Sequence, residues 1–171
     1  MKTEVEYLKY MWPLKHFLIT CGNKENKNII TVSFCMPVSK NPPLVVCAIG
    51  KKTHSKKLIT EFKEYIINIP EKKLKSEVYY CGFHSGAEVD KFKETNMTPK
   101  PAKKVDVPII DECIVHMECE VIKTVKTKEK ILFIGEVIEA YAEKTIEINE
   151  ESVNFVKGDF PEEVYSIRFN E

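Results

Sequence analysis

Hydrophobic and polar positions along this chain fall into short runs, most of them at the two-residue period of strands. Residues 14–21 (LKHFLITC) read as a first strand that leaves through a polar turn punctuated by Gly22-Asn23. Asn28 to Val32 follows as a second strand, because Ile29, Ile30, Thr31 and Val32 carry β-branched side chains that favour extended backbone. At Ser33 the chain turns small, polar and sulfur-bearing and stops at Pro37, which predicts a loop over 33–39. Asn41-Pro42-Pro43 leads into Leu44–Ile49, an apolar run without alternation, which predicts a third strand buried on both faces.

Beyond Gly50 the period lengthens. Leu58, Ile59 and Phe62 recur at helical spacing, so a helix is expected to start near Thr53–Ser55 with a hydroxyl as its cap. Glu64 to Pro70 reads as a strand ended by proline, and residues 72–81 as a second helix with Leu74, Val78 and Cys81 inward. A loop at 82–86 follows, and Asp90-Lys91-Phe92 opens a short helical turn. Residues 96–108 lose periodicity and predict an excursion over the surface. Over 114–122, Val115, Met117, Cys119 and Val121 share one face while His116, Glu118 and Glu120 share a polar one, so His116 is expected to face solvent.

A charged hairpin tip at 123–130 precedes Ile131–Ile138, where Gly135 permits close backbone approach or a bulge. Residues 145–148 and 164–169 are candidate edge strands. Strands outnumber helices, and neither a repeat nor a boundary interrupts residues 1–171. The expectation is one mainly β domain, a closed antiparallel barrel with peripheral helices.

Composition narrows the function. The 26 basic and 26 acidic residues cancel, which gives no argument for nucleic acid or an anionic membrane surface. No apolar stretch approaches the roughly 20 residues that cross a bilayer, and the first residues lack the features of a signal peptide. A cytoplasmic protein is expected. Six cysteines (Cys21, Cys35, Cys47, Cys81, Cys113, Cys119) form no CxxC pair, so neither a zinc site nor a disulfide framework is predicted, and they read as small core residues. His16, His54, His84 and His116 lie far apart with no HExxH, GxSxG, GxGxxG or phosphate-loop motif. Ser85 has no identifiable base. A hydrolase or a Rossmann-type nucleotide enzyme is therefore unsupported, and no metal site is expected.

Two polar loops that follow buried strands remain, 33–39 and 51–56. The second sets Thr53, His54, Ser55 and the lysines Lys51, Lys52 and Lys56 at a helix N-terminus, where free amides and the helix dipole favour a phosphate. An ordinary capped surface helix has the same look, and that segment alone does not decide between them. A ligand with a flat hydrogen-bonding ring at one end and a phosphate at the other would use both loops, and flavin mononucleotide (FMN) has that shape. Ser33 and Ser39 would serve the pyrimidine edge of the ring. Cys35 and Met36 would be soft neighbours, or simply core packing.

The runs NIITVSFCMPVSKNPPLVV (Asn28 to Val46), THSKKLI (Thr53 to Ile59) and EYIINIP (Glu64 to Pro70) are joined by three more. These are YCGFHSGAEVDKF (Tyr80 to Phe92), HMECEV (His116 to Val121) and ILFIGEV (Ile131 to Val137). In this order, over nearly the whole chain, they resemble the flavin reductase-like, FMN-binding split-barrel family, and within it the flavoredoxin-like branch. The resemblance implies a six-stranded Greek-key antiparallel split barrel and a homodimer with FMN near its interface. It also implies a flavin oxidoreductase or electron-transfer role, with NAD(P)H as a transient donor or a redox protein as partner. A flavin carrier without NAD(P)H activity, or a barrel that has lost its cofactor, are the alternatives.

Carried over by residue, Asn28, Thr31, Ser33, Phe34, Cys35 and Met36 match contacts to the ring and ribityl chain, and Ser39 matches a hydroxyl beyond the proline turn. Thr53, His54 and Ser55 fall on the phosphate loop, and Ser85, Gly86 and Lys91 on a loop near the flavin. No protein acid or base is implied as catalytic; Cys35 could modulate the flavin. Two departures stand out. Many relatives have Arg where this chain has Thr53, which passes charge neutralisation to Lys51, Lys52 or Lys56. Many also carry Gly-Asp-His ahead of the ILFIGEV-like strand, its His tied to nicotinamide use, where this chain has Lys128-Glu129-Lys130.

Overall fold

In the computed structural model, residue 11 and residues 14–142 are described. One compact unit is His16–Glu147, described as far as Ala142; a second, Met1–Lys15 with Ile148–Glu171, lies outside the described residues apart from Met11, Leu14 and Lys15. The candidate edge strands at 145–148 and 164–169 also lie outside them.

The elements are β1 (Phe17–Gly22), β2 (Lys27–Val32), β3 (Cys35–Lys40), β4 (Pro43–Gly50), α1 (His54–Phe62) and β5 (Glu64–Ile69). A 3-10 turn (Lys72–Leu74), α2 (Lys75–Phe83) and α3 (Lys91–Thr95) follow, then the two-residue strands β6 (Pro99–Lys100) and β7 (Ile109–Ile110). Two long strands, β8 (Val115–Lys126) and β9 (Lys130–Ala142), complete them. β6 and β7 pair with each other, and the other seven strands form one antiparallel sheet in the order β2-β1-β5-β8-β9-β4-β3.

One core shows that this sheet curls on itself. Ile19, Cys21, Tyr65, Cys119, Phe133 and Cys47 pack together with Val32 of β2 and Val45 of β4, so residues from opposite ends of the strand order meet inside. Leu58 and Ile59 of α1 join that core. The barrel expected from the sequence is therefore present. Gly135 on β9 makes the closure possible, because a Cβ there would meet the Tyr65 hydroxyl at 2.4 Å. A second core, with Leu18, Ile29, Val78, Cys81 and Phe92, holds α2 and α3 against β1 and β2.

Four expectations need correction. Residues 35–40 are a strand and not a loop: β3 pairs with β4 from Cys35↔Cys47 to Lys40↔Pro43, with a bulge between Pro37 and Ser39. Proline is tolerated because β3 is the sheet edge, where one side of the backbone has no partner to bond. This adds the seventh strand to the six implied. β4 is buried on one face only: Val45, Cys47 and Ile49 point inward, while Leu44, Val46 and Ala48 are half-exposed. Residues 96–108 do not merely cross the surface, since Val105 and Val107 are buried with Ile66 and Ile109 in a third core.

That segment also overturns the reading of the polar face of β8. His116 is buried and its Nδ1 lies 2.9 Å from Asn68 Oδ1. Glu118 is fully buried, and its carboxylate accepts from the amides of Lys103, Lys104 and Val105 and from the Tyr141 hydroxyl. A charge can be buried when it is fully hydrogen-bonded, and these donors supply that. Burial raises the Glu118 pKa, but the four donors outweigh it and leave the carboxyl below its ordinary value.

Candidate functional site

A cleft of about 250 Å³ opens where the start of α1 meets the end of α2 and the loop that follows it. α1 begins there because Thr53 has extended backbone and its side chain accepts from the Lys56 amide at 3.2 Å. The first-turn amides of a helix have no partner within it. No acidic residue sits in the first turn of α1 to offset the positive end of the dipole. Thr53, His54 and Ser55 all line the cleft, with Lys52 beside them.

The opposite wall is built from β2 and the 82–91 region. Asn28 is buried and donates through Nδ2 to Ser55 Oγ at 2.7 Å, which fixes the hydroxyl and leaves the Asn28 carbonyl oxygen toward Gly86. Gly86 lies so close that a Cβ would stand 2.1 Å from that oxygen. Side-chain bulk at residue 86 would therefore displace the Asn28–Ser55 bond. Ser85 also lines the cleft, and its hydroxyl accepts from the Ala87 amide at 3.3 Å.

Lys91 is the least ordinary member of this wall. Only 4% exposed, it donates to the Ile29 carbonyl at 2.8 Å and the Cys81 carbonyl at 2.7 Å. An ammonium has three donors, so two carbonyls leave one for a ligand. Burial lowers its pKa below the usual lysine value, and the nearby Cys81 and Cys21 thiols oppose that only in part. Lys52, His54 and Lys91 surround the cleft and no carboxylate lines it among the described residues. This donor set suits a dianionic phosphate.

The structure therefore gathers Asn28, Lys52, Thr53, His54, Ser55, Ser85, Gly86 and Lys91 of the sequence candidates. Others lie outside the cleft lining. Lys51 turns its ammonium to the Lys128 carbonyl at 3.0 Å, and Lys56 contributes its amide to the Thr53 cap. Thr31 donates to the Val78 carbonyl, and Ser33 Oγ lies 2.7 Å from His16 Nδ1. Cys35 and Ser39 are half-buried on β3. Phe34 and Met36 are exposed, with the Lys130 ammonium 5.0 Å from the centre of the Phe34 ring.

Phe83 and His84 line the cleft without having been singled out. Phe83 stacks on Tyr79 with ring centres 4.4 Å apart, and His84 on Tyr80 at 3.9 Å. The spacing of four residues within EVYYCGFH was the available signal, because it sets aromatic side chains on one helix face.

A curled antiparallel barrel with an anion-ready cleft at its flank defines a class of cofactor-binding barrels, and the comparisons place the chain within it. Residues 12–162 match the Flavin reductase like domain, and the chain belongs to that family. An uncharacterized protein of Archaeoglobus fulgidus is 37% identical over 139 residues, covering 81% of this chain and 78% of the relative. Flavoredoxin from Methanosarcina acetivorans superposes with a TM-score of 0.79 at 26% identity, over 86% of this chain and 78% of that one. Flavoredoxin of Desulfovibrio vulgaris (Miyazaki F) gives 0.73 at 26% identity, over 78% and 72%. The fold is the split barrel of these proteins.

Proposed function

We propose that this protein binds FMN, with the phosphate in the cleft at the start of α1, and moves electrons through it. The observation that carries the reading is the cleft itself: a helix N-terminus, two lysines and a histidine, a buried Asn28–Ser55 pair, and no carboxylate in the lining among the described residues. At about 250 Å³ it suits the phosphate and the adjoining polyol chain, and the ring would lie outside it. Ser55 and the α1 amides would hold the phosphate, Thr53, bonded to the Gly50 carbonyl, would fix the helix start, and Lys52 and Lys91 would neutralise the charge. Bound flavin supplies hydride and single-electron chemistry, and the protein supplies position and access.

The donor is NAD(P)H or a protein, and the acceptor a flavin, a ferric compound or a protein. A second reading, a flavin carrier without NAD(P)H activity, is favoured by one feature. The turn before β9 is Thr127 to Glu129 and bears no imidazole, and its Lys128 carbonyl is tied to Lys51.

The site is expected to belong to a homodimer. Met36, Val46 and Ile134 are register neighbours across β3, β4 and β9 on the outer sheet face, as are Ala48, Leu132 and Val125 across β4, β9 and β8. Met36 is 60% exposed and Val125 39%, with Phe34, Val38 and Ile122 also exposed. A contiguous apolar face of this kind marks an interface, and a second copy of the chain would cover it.

Protein purified with FMN is expected to be yellow and to release flavin on denaturation. Anaerobic addition of NADH or NADPH then separates the readings: bleaching supports a reductase, and an unchanged spectrum supports the carrier or a protein-fed electron-transfer role. Protein that stays colourless in excess FMN would overturn both.

A further inference from the structure

Two of the six cysteines face each other across the edge of the sheet. Cys35 opens β3 and Cys47 stands opposite it on β4. The Ala48 amide donates to the Phe34 carbonyl at 2.8 Å, so residues 34 and 48 are a hydrogen-bonded pair and the adjacent Cys35–Cys47 pair is not. Opposed residues of that second kind have Cα atoms about 4.5 Å apart, closer than in the first.

The two Sγ atoms are 2.9 Å apart. A disulfide asks for Cα atoms about 4.4–6.8 Å apart and sulfurs at about 2.05 Å, so closure moves the sulfurs by less than ~1 Å and leaves the strand pairing intact. Cys35 is half-exposed, whereas Cys21, Cys47, Cys81, Cys113 and Cys119 are buried. Among the described residues the Cys35–Cys47 contact is the one sulfur–sulfur hydrogen bond.

We propose that Cys35 and Cys47 form a reversible two-electron site, a dithiol that closes to a disulfide by exchange with a low-molecular-weight disulfide. Cys35 loses its proton and its sulfur attacks one sulfur of the oxidant, breaking that S–S bond and releasing one thiol once the leaving sulfur takes up a proton. Cys47 then loses its proton and attacks the Cys35 sulfur, forming the internal S–S bond and releasing the second thiol. Two S–H bonds become one S–S bond, and the oxidant leaves as two thiols carrying the two electrons and two protons.

Partial exposure makes Cys35 the attacking residue and burial makes Cys47 the resolving one. The hydrogen bond it shares with Cys35, together with burial, holds the Cys47 thiol well above its ordinary pKa. β3 is the edge strand, so the bond would fasten its start to β4 while leaving the cleft untouched. The inference does not rest on flavin binding.

Trypsin makes the test direct. Cuts after Lys27, Lys40 and Lys51 yield Asn28–Lys40, whose single cysteine is Cys35, and Asn41–Lys51, whose single cysteine is Cys47. The folded full chain is incubated with oxidised glutathione, denatured, its free thiols alkylated, and digested. The two peptides are expected as one linked species that dithiothreitol separates, with four of the six thiols alkylated. Cys35→Ser should keep all five remaining thiols free, and Cys113→Ser should retain the link. Survival of all six thiols, a glutathione adduct on Cys35 without the link, or a bridge to any other cysteine would overturn the proposal.

Discussion

Replacing Glu118 by alanine is expected to lower folding stability by about 3–5 kcal/mol, the largest effect of any single side chain discussed above. The carboxylate is fully buried and accepts from three consecutive amides at 2.8, 2.7 and 3.2 Å and from the Tyr141 hydroxyl at 2.8 Å. Alanine strands those four donors at once. It also frees the 103–105 segment that covers β8 and carries Val105 into the third core. Glu118→Gln keeps one acceptor oxygen and should fall between wild type and alanine.

The pH dependence has a definite sign. Because the native carboxyl titrates below its ordinary 4.5, its contribution is fully present above that value and disappears as pH falls through the lower native one. The stability gap between wild type and Glu118→Ala should hold at neutral pH and narrow in acid. Urea denaturation at several pH values reads both results; a gap that does not change with pH would show that the charge of Glu118 plays no part.

The second large effect concerns the cleft. Lys91→Met, similar in length and uncharged, is expected to weaken FMN binding about tenfold or more, the worth of one charge-assisted bond to a phosphate. Part of the loss would be local, since the Ile29 and Cys81 carbonyls would lose the donor that now joins β2 to α2. Riboflavin, which has no phosphate, separates the two causes: its affinity should change much less. Wild-type affinity for FMN should also fall on the alkaline side sooner than an ordinary lysine would require. The reason is that burial lowers the Lys91 pKa and a neutral amine cannot offset the phosphate. Lys91→Met should lack that alkaline decline.

What could be read from the sequence followed from how locally each feature is determined. The β-branched run Ile29–Val32 and the Thr53 cap are decided within a few residues, and both stand where expected. β3 was hidden because Pro37 and Ser39 resemble a loop until an edge position excuses them, and an edge is a property of the whole sheet. His116 and Glu118 sit on a polar alternation that normally means solvent. Their cover comes from residues 101–107 and Tyr141, which no local pattern reveals.

The cleft was legible on the side where hydroxyls and lysines crowd a helix start. Its other wall depends on Asn28 meeting Ser55 across 27 residues and on Lys91 turning inward, and only the fold brings these together. The stretch from Ser33 to Ser39 was read as one half of the same site. It runs along the sheet edge outside the cleft lining, with Cys35 turned to Cys47 and Met36 exposed.

One titration tests the central claim most directly: FMN and riboflavin added separately to flavin-free protein and followed by quenching of flavin fluorescence. If the phosphate occupies the cleft at the start of α1, FMN should bind about tenfold or more tightly than riboflavin, and Ser55→Ala should reduce that preference. Equal affinity for the two flavins, unchanged in Ser55→Ala, would contradict it.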